Sequence, residues 1–135
     1  MESRNWKNLN EVIKVSRVIH FEVSVDNPER AKKFYENVFG WNINKWGPED
    51  YWLVMTGEKT EPGIDGALKK RDEQKQSVVN TISVPSIDEF IEKIKKNGGK
   101  VLMPKMTIPG IGYNTYCQDT EGNVFGIMEE DATAK

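Results

Sequence analysis

One cysteine and one histidine are all that 135 residues contain, and both scarcities exclude chemistry. A lone thiol, Cys117, can form neither an internal disulfide nor a cysteine-based zinc cluster. Its flanks, TYCQD, read as strand, which marks a buried structural thiol rather than a nucleophile. No long apolar run and no signal-peptide pattern occurs, so no membrane contact is expected and the chain is placed in the cytoplasm. Nor does one sign of charge dominate: 30% of residues are charged, with a net charge of −2. Lys32, Lys33, Lys93, Lys95 and Lys96 stand beside glutamates on predicted helices, the pattern of solvated helix faces and not of a nucleic-acid surface. The length suits one ordinary domain that folds without covalent staples.

What the chain does have is a repeat. Residues 19–40, IHFEVSVDNPERAKKFYENVFG, give an alternating strand, a Pro-started amphipathic helix and a closing glycine. Residues 78–99, VVNTISVPSIDEFIEKIKKNGG, repeat that order without a gap, 59 positions later, so that Val25 falls on Val84 and Phe39-Gly40 on Gly98-Gly99. A unit this short, duplicated, predicts two half-domains that share a core and leave a cleft between them.

In the first strand, Arg17 to Val25, Ile19, Phe21, Val23 and Val25 form one face and Val18, His20, Glu22 and Ser24 the other. Asp26 or Asn27 caps the following helix, with Pro28 at its first position. Ala31, Phe34, Tyr35, Val38 and Phe39 give that helix a stripe expected to pack on the sheet. Trp41 to Trp46, Tyr51 to Thr56 and Ile64 to Lys70 complete the first half. After a polar linker, Arg71 to Gln76, the second half runs through a strand at Ser77 to Val84 and a helix with Ser86 and Glu89 at capping-box spacing. Ile87, Phe90, Ile91 and Ile94 form its stripe, and strands at Lys100 to Met103, Gly112 to Gln118 and Asn123 to Glu129 follow. Phe34 and Phe90 are both expected under their helices. The predicted fold is α+β: two βαβββ modules, about 17–70 and 77–130, forming a curved mixed sheet around a cleft with helices outside. Residues 1–16 are an N-terminal extension in which Trp6, Leu9, Val12 and Ile13 have roughly helical spacing; a short helix and a flexible tail both fit.

The stretches HFEVSVDNPERAKKFYENVFGW (20–41), GIDGALKK (63–70), SVVNTISVPSIDEFIEKIKKNGGKV (77–101) and DTEGNVFGIME (119–129) resemble the vicinal oxygen chelate superfamily, the glyoxalase, bleomycin-resistance and extradiol dioxygenase proteins. The resemblance covers most of the chain beyond residue 16. It implies the paired βαβββ fold and a homodimer, but not one activity, because the superfamily hosts lyases, epimerases, dioxygenases and proteins that only sequester drugs. Its metal-using members share four cleft-facing positions, which fall here on His20, near Gly66, on Val79 and on Gly126. Of these only His20 can bind a metal, and a catalytic site needs about three protein ligands. Glu22, on the same strand face, adds a carboxylate and still leaves the set short; no cofactor is therefore expected, a divalent metal being the disfavoured alternative.

The remaining candidates are His20 and Glu22, as an acid–base pair or as ligand-orienting groups. Aromatic residues Trp41, Trp46, Tyr51, Trp52, Tyr113 and Tyr116 gather on and around three strands. A cleft walled by rings, with glycines where metal ligands would stand, suits a flat apolar or aromatic molecule. The expected ligand-binding set is His20, Glu22, Trp52, Tyr113 and Met128, Met128 sharing the parity of Gly126. The alternative is a lyase, isomerase or dioxygenase with a reduced or partner-completed metal site. Gly110 and Gly112 in IPGIGY fit either a mobile loop at the mouth or a plain turn.

Overall fold

The computed structural model describes residues 15–72 and 77–135, so the expectations for residues 1–14 and for linker residues 73–76 lie outside the described residues. The first half consists of β1 (Val18–Val25), α1 (Pro28–Phe39), β2 (Asn42–Lys45), β3 (Tyr51–Met55) and β4 (Gly66–Lys70). The second consists of β5 (Val78–Ser83), α2 (Ile87–Lys96), β6 (Lys100–Val101), β7 (Met106–Ile108), β8 (Gly112–Gln118) and β9 (Val124–Glu130). The strands form one curled, open sheet in the order β2-β3-β4-β1-β5-β9-β8-β6, with β7 paired to β8. Strand β7 is the one element that the periodicity did not predict; with only three residues it is too short to show an alternation.

The repeat becomes symmetry in this sheet. Strands β1 and β5 are antiparallel at its centre, and Phe21 faces Asn80, the residue 59 positions later. A pseudo-two-fold axis therefore passes through that pair. It exchanges His20, which faces Thr81, with Val79, which faces Glu22. The same operation carries the parallel β1–β4 pairing, Glu22 beside Ala67, onto the parallel β5–β9 pairing, Thr81 beside Gly126.

Both helices lie on the outer face. Asn27 accepts from the Arg30 amide at 3.1 Å and Gly40, at φ 74°, ends α1 in the left-handed region that glycine enters without penalty. Under α1, Val25, Ile43, Trp52, Val54 and Leu68 form one core, joined by Ala31, Tyr35 and Trp41. Tyr35 stacks on Trp41 with centroids 4.9 Å apart. Phe34, Val38 and Phe39 do not join it: they are 55%, 56% and 59% exposed, which corrects the expectation for Phe34. Ala31 and Tyr35, one turn apart, take the line that meets the sheet, and each helical step rotates a neighbour about 100° away from it. Under α2, Val84, Ile87, Cys117 and Ile127 form the second core, and Phe90, Ile91 and Ile94 pack against it as expected. Ser86 caps α2 by accepting from the Glu89 amide at 3.3 Å, and the Glu129 carboxylate accepts from the Ile87 amide at 2.9 Å.

Candidate functional site

The inner face is where the chemistry collects. Strand alternation turns His20 and Glu22 inward, away from Phe21 and Val23, as the sequence predicts. Glu22 is only 7% exposed, and a buried carboxylate must be hydrogen-bonded. It is held from both halves of the molecule. The Tyr51 hydroxyl, on β3, donates to Oε2 at 2.8 Å, and the Tyr116 hydroxyl, on β8, donates to Oε1 at 2.7 Å. His20 Nε2 lies 2.8 Å from the same Tyr51 oxygen. Tyr51 has one proton and gives it to Glu22, so His20 Nε2 is the donor in its contact. The neutral imidazole is thereby fixed as the Nε2–H tautomer, and Nδ1 keeps a lone pair.

Burial governs the protonation of this chain. It lowers the His20 pKa from its ordinary value, against the opposing pull of the Glu22 and Asp65 charges. It raises the pKa of both phenols strongly, and the adjacent Glu22 carboxylate raises them further by its charge and by the hydrogen bonds it accepts. Tyr51 and Tyr116 are therefore protons in storage, not nucleophiles, at neutral pH.

The cross-strand register places the other predicted residues. Met128 is inward, opposite Asn114. Trp52 faces Leu68 and is 7% exposed in the first core, and Tyr113 packs against the second core. Neither lines the inner face; the rings there are Tyr51 and Tyr116, their parity opposite to that of Trp52 and Tyr113. Trp46 meets the edge of Tyr51 at 6.2 Å, while Trp41 lies with the core. Gly66 is also on the outer side, beside Phe21, whose ring stands 2.7 Å from where a Cβ would be. The inward residue of β4 is Ala67. A side chain at Gly126 would meet Thr81 Oγ1 at 3.1 Å, so Thr81 takes much of that space. The IPGIGY segment is the turn joining β7 to β8, closed by Ile111 N–H to the Ile108 carbonyl at 3.0 Å and tied to the C-terminal residues through Gly110 and Ala134.

A family model described as the Glyoxalase/Bleomycin resistance protein/Dioxygenase superfamily matches residues 17–127. The chain belongs to this superfamily. It is 30% identical over 112 residues to a glyoxylase-like domain-containing protein of Didymella fabae, covering 78% of this chain and 88% of that one. It is 25% identical over 113 residues to a putative glyoxylase, CFP32, of Mycobacterium bovis, covering 80% of this chain but only 43% of that protein. Among solved structures, a hypothetical protein of Bacillus halodurans superposes with a TM-score of 0.64 at 16% identity, covering 90% of this chain and 99% of that one. A methylmalonyl-CoA epimerase of Mycobacterium tuberculosis gives 0.58 at 10% identity, covering 84% and 87%. At these identities the structural likeness is one of fold.

The inner-face donors of this family member do not fit a divalent metal. His20 is flanked by Thr81 across β5, and the positions equivalent to it and to Glu22 carry Val79 and Thr81. Both Glu22 oxygens already accept phenolic protons, and the Asp65 carboxylate accepts from the Thr56 amide at 2.9 Å. Among the described residues no group of three or more His, Cys, Asp or Glu side chains could hold a metal ion. Among them, too, no helix is long and apolar enough to cross a membrane.

The pseudo-symmetry also exposes a difference between the halves. In the first, Tyr51 faces Lys69 across β3 and β4; in the second, the matching pair is Asn114 and Met128. The polar row His20, Glu22, Tyr51, Lys69 thus has the smaller or more apolar row Val79, Thr81, Asn114, Met128 as its mate. Beyond Met128 the sheet end opens into a depression of about 370 Å³ lined by Gly110, Ile111, Met128, Glu130, Asp131 and Ala132.

Proposed function

We propose that this protein binds a flat, largely apolar organic molecule on the inner face of its sheet, without a divalent metal. The observation that carries this reading is the inequality of the halves. In the row where the first half sets a phenol ring and a lysine, Tyr51 and Lys69, the second sets a short amide and a methionine, with Tyr116 next on the same face of β8 and an open depression beyond Met128. Small-molecule sites combine an apolar wall with few polar groups, and His20 Nδ1 at the edge of the buried chain supplies direction to a ligand that donates. Shift mapping of the purified chain against a library of planar apolar compounds tests this. Hits that move His20 and Met128 support it; hits confined to the outer helix faces overturn it.

A second reading, an isomerase or lyase, rests on His20 itself. A neutral imidazole locked through Tyr51 to a carboxylate can take up a proton at Nδ1; burial opposes the cation, and the Glu22 and Asp65 charges offset part of that cost. Hydrogen–deuterium exchange into a bound carbonyl compound, lost in His20→Ala, distinguishes it from binding alone. A cytoplasmic homodimer, checked by light scattering, is part of the same proposal.

A further inference from the structure

The second half of the inner face contains an amide without a partner. Asn114 Oδ1 is shielded from water and makes no hydrogen bond, the only such side-chain atom among the described residues. A buried acceptor left unpaired is costly, and in a native protein it calls for an explanation. Fold symmetry supplies one. Asn114 is the counterpart of Tyr51, whose hydroxyl spans the inner face to reach Glu22. The amide is too short to make the equivalent reach, and the residue equivalent to Glu22 is Thr81.

The neighbours of Asn114 are equally specific. Across β7 it faces Met106 and across β9 it faces Met128, so an amide stands between two methionines in one row of the sheet. Methionine is unbranched, with several rotatable bonds and a polarizable sulfur that packs well on aromatic faces, so such walls re-form around a ligand. Met106 and Ile111 are 37% and 42% exposed, and the depression beyond Met128 adjoins this row. Two methionines around one unpaired carbonyl oxygen, beside a depression that also carries Glu130 and Asp131, suit a ligand that brings an N–H to that oxygen and an apolar body to the methionines. The Asn114 amide also has an N–H₂ to give, so a carbonyl beside that N–H completes a two-bond amide-to-amide contact.

We propose that the ligand presents a lactam or secondary-amide edge to Asn114 between Met106 and Met128. This deepens the reading of the inner face as a binding site and rests on it. The test compares 2-quinolinone with coumarin, which has the same shape but a ring oxygen in place of the N–H. Both are titrated into the full chain while the amide resonances of Asn114 and Met128 are followed. A site built around a donor rejects the isostere that lacks it. The expected result is binding of 2-quinolinone at least about tenfold tighter than coumarin, with the gap closing in Asn114→Leu. The comparison in the unaltered protein needs no variant to fold. Equal binding of the two compounds, both moving Met128, overturns the amide assignment and leaves the site reading intact. A gap that persists in Asn114→Leu overturns the assignment to this residue. An inner face silent to both compounds and to the planar library removes both proposals.

Discussion

A single histidine makes the polar chain directly observable. Because Tyr51 spends its proton on Glu22, His20 must donate from Nε2, and nitrogen NMR of the one imidazole should show the Nε2–H tautomer. Its folded pKa lies below the ordinary 6.5, since burial disfavours the cation. The unfolded chain therefore binds more protons in that window. The His20 contribution to stability is present above 6.5 and lost as pH falls through the folded value. In Tyr51→Phe the tautomer preference should vanish; an unchanged spectrum would contradict the relay. The phenols act at the other end of the scale. Their folded pKa values lie above the ordinary 10.0, so their contribution is intact below that pH and declines as pH rises beyond it. Two of the four tyrosines should resist tyrosinate formation until the chain unfolds. Tyr116→Phe leaves Oε1 of a buried carboxylate without its donor and should cost roughly 1–3 kcal/mol by urea unfolding. At this scale the sequence was legible wherever alternation was clean. HFEVSV assigns His20 and Glu22 to one face without ambiguity. YWLVM does not, because all five residues are apolar or aromatic and either parity looks equally good. That is why Trp52 was expected inside and Tyr51 was not singled out. The β3–β4 register decides it: with Leu53 paired to Ala67, Tyr51 has to share the face of Glu22.

The elements follow from local chemistry, yet their facing depends on partners that a one-dimensional pattern does not contain. Asn27 with Pro28, Ser86 and Gly40 set the helix ends as predicted, whereas α2 ends on Asn97, with left-handed Gly98 after it. The stripe on α1 spans more than the helix can bury: Ala31 and Tyr35 meet the core, while Phe34, Val38 and Phe39 face outward. Phe34→Ala should therefore cost less than about 1 kcal/mol, in the range of surface substitutions. Trp52→Ala, within the first core, should cost about 3–5 kcal/mol. Comparable losses for the two in chemical denaturation would reverse the assignment. On α2 the Glu129 carboxylate accepts the Ile87 amide at the first turn, where the helix dipole also favours negative charge. Glu129→Ala should lower stability by about 1 kcal/mol, the usual cost of a lost helix cap.

Across the whole molecule, duplication supplies the fold and divergence between the copies supplies the site. The ungapped offset visible in the sequence over residues 19–40 and 78–99 sets β1 against β5, and the structure extends the same offset to β4 and β9, where it pairs Ala67 rather than Gly66 with Gly126. What could not be read was how the halves differ on their inner face, because the β3 and β8 registers are needed to align Tyr51 with Asn114 and Lys69 with Met128. A hydrogen-bonded chain from Tyr51 through Glu22 to Tyr116 spans the inner face, and the difference leaves an unpaired amide between two methionines at the β7–β9 side. The proposed binding of a planar organic molecule on this face requires no metal. It is tested most directly by titrating a chelator-treated, metal-free preparation with a planar hit while His20 and Met128 are observed. Saturable shifts at both residues, with an affinity unchanged by added zinc or manganese, are the predicted result. Binding that appears only when a divalent metal is restored would contradict it.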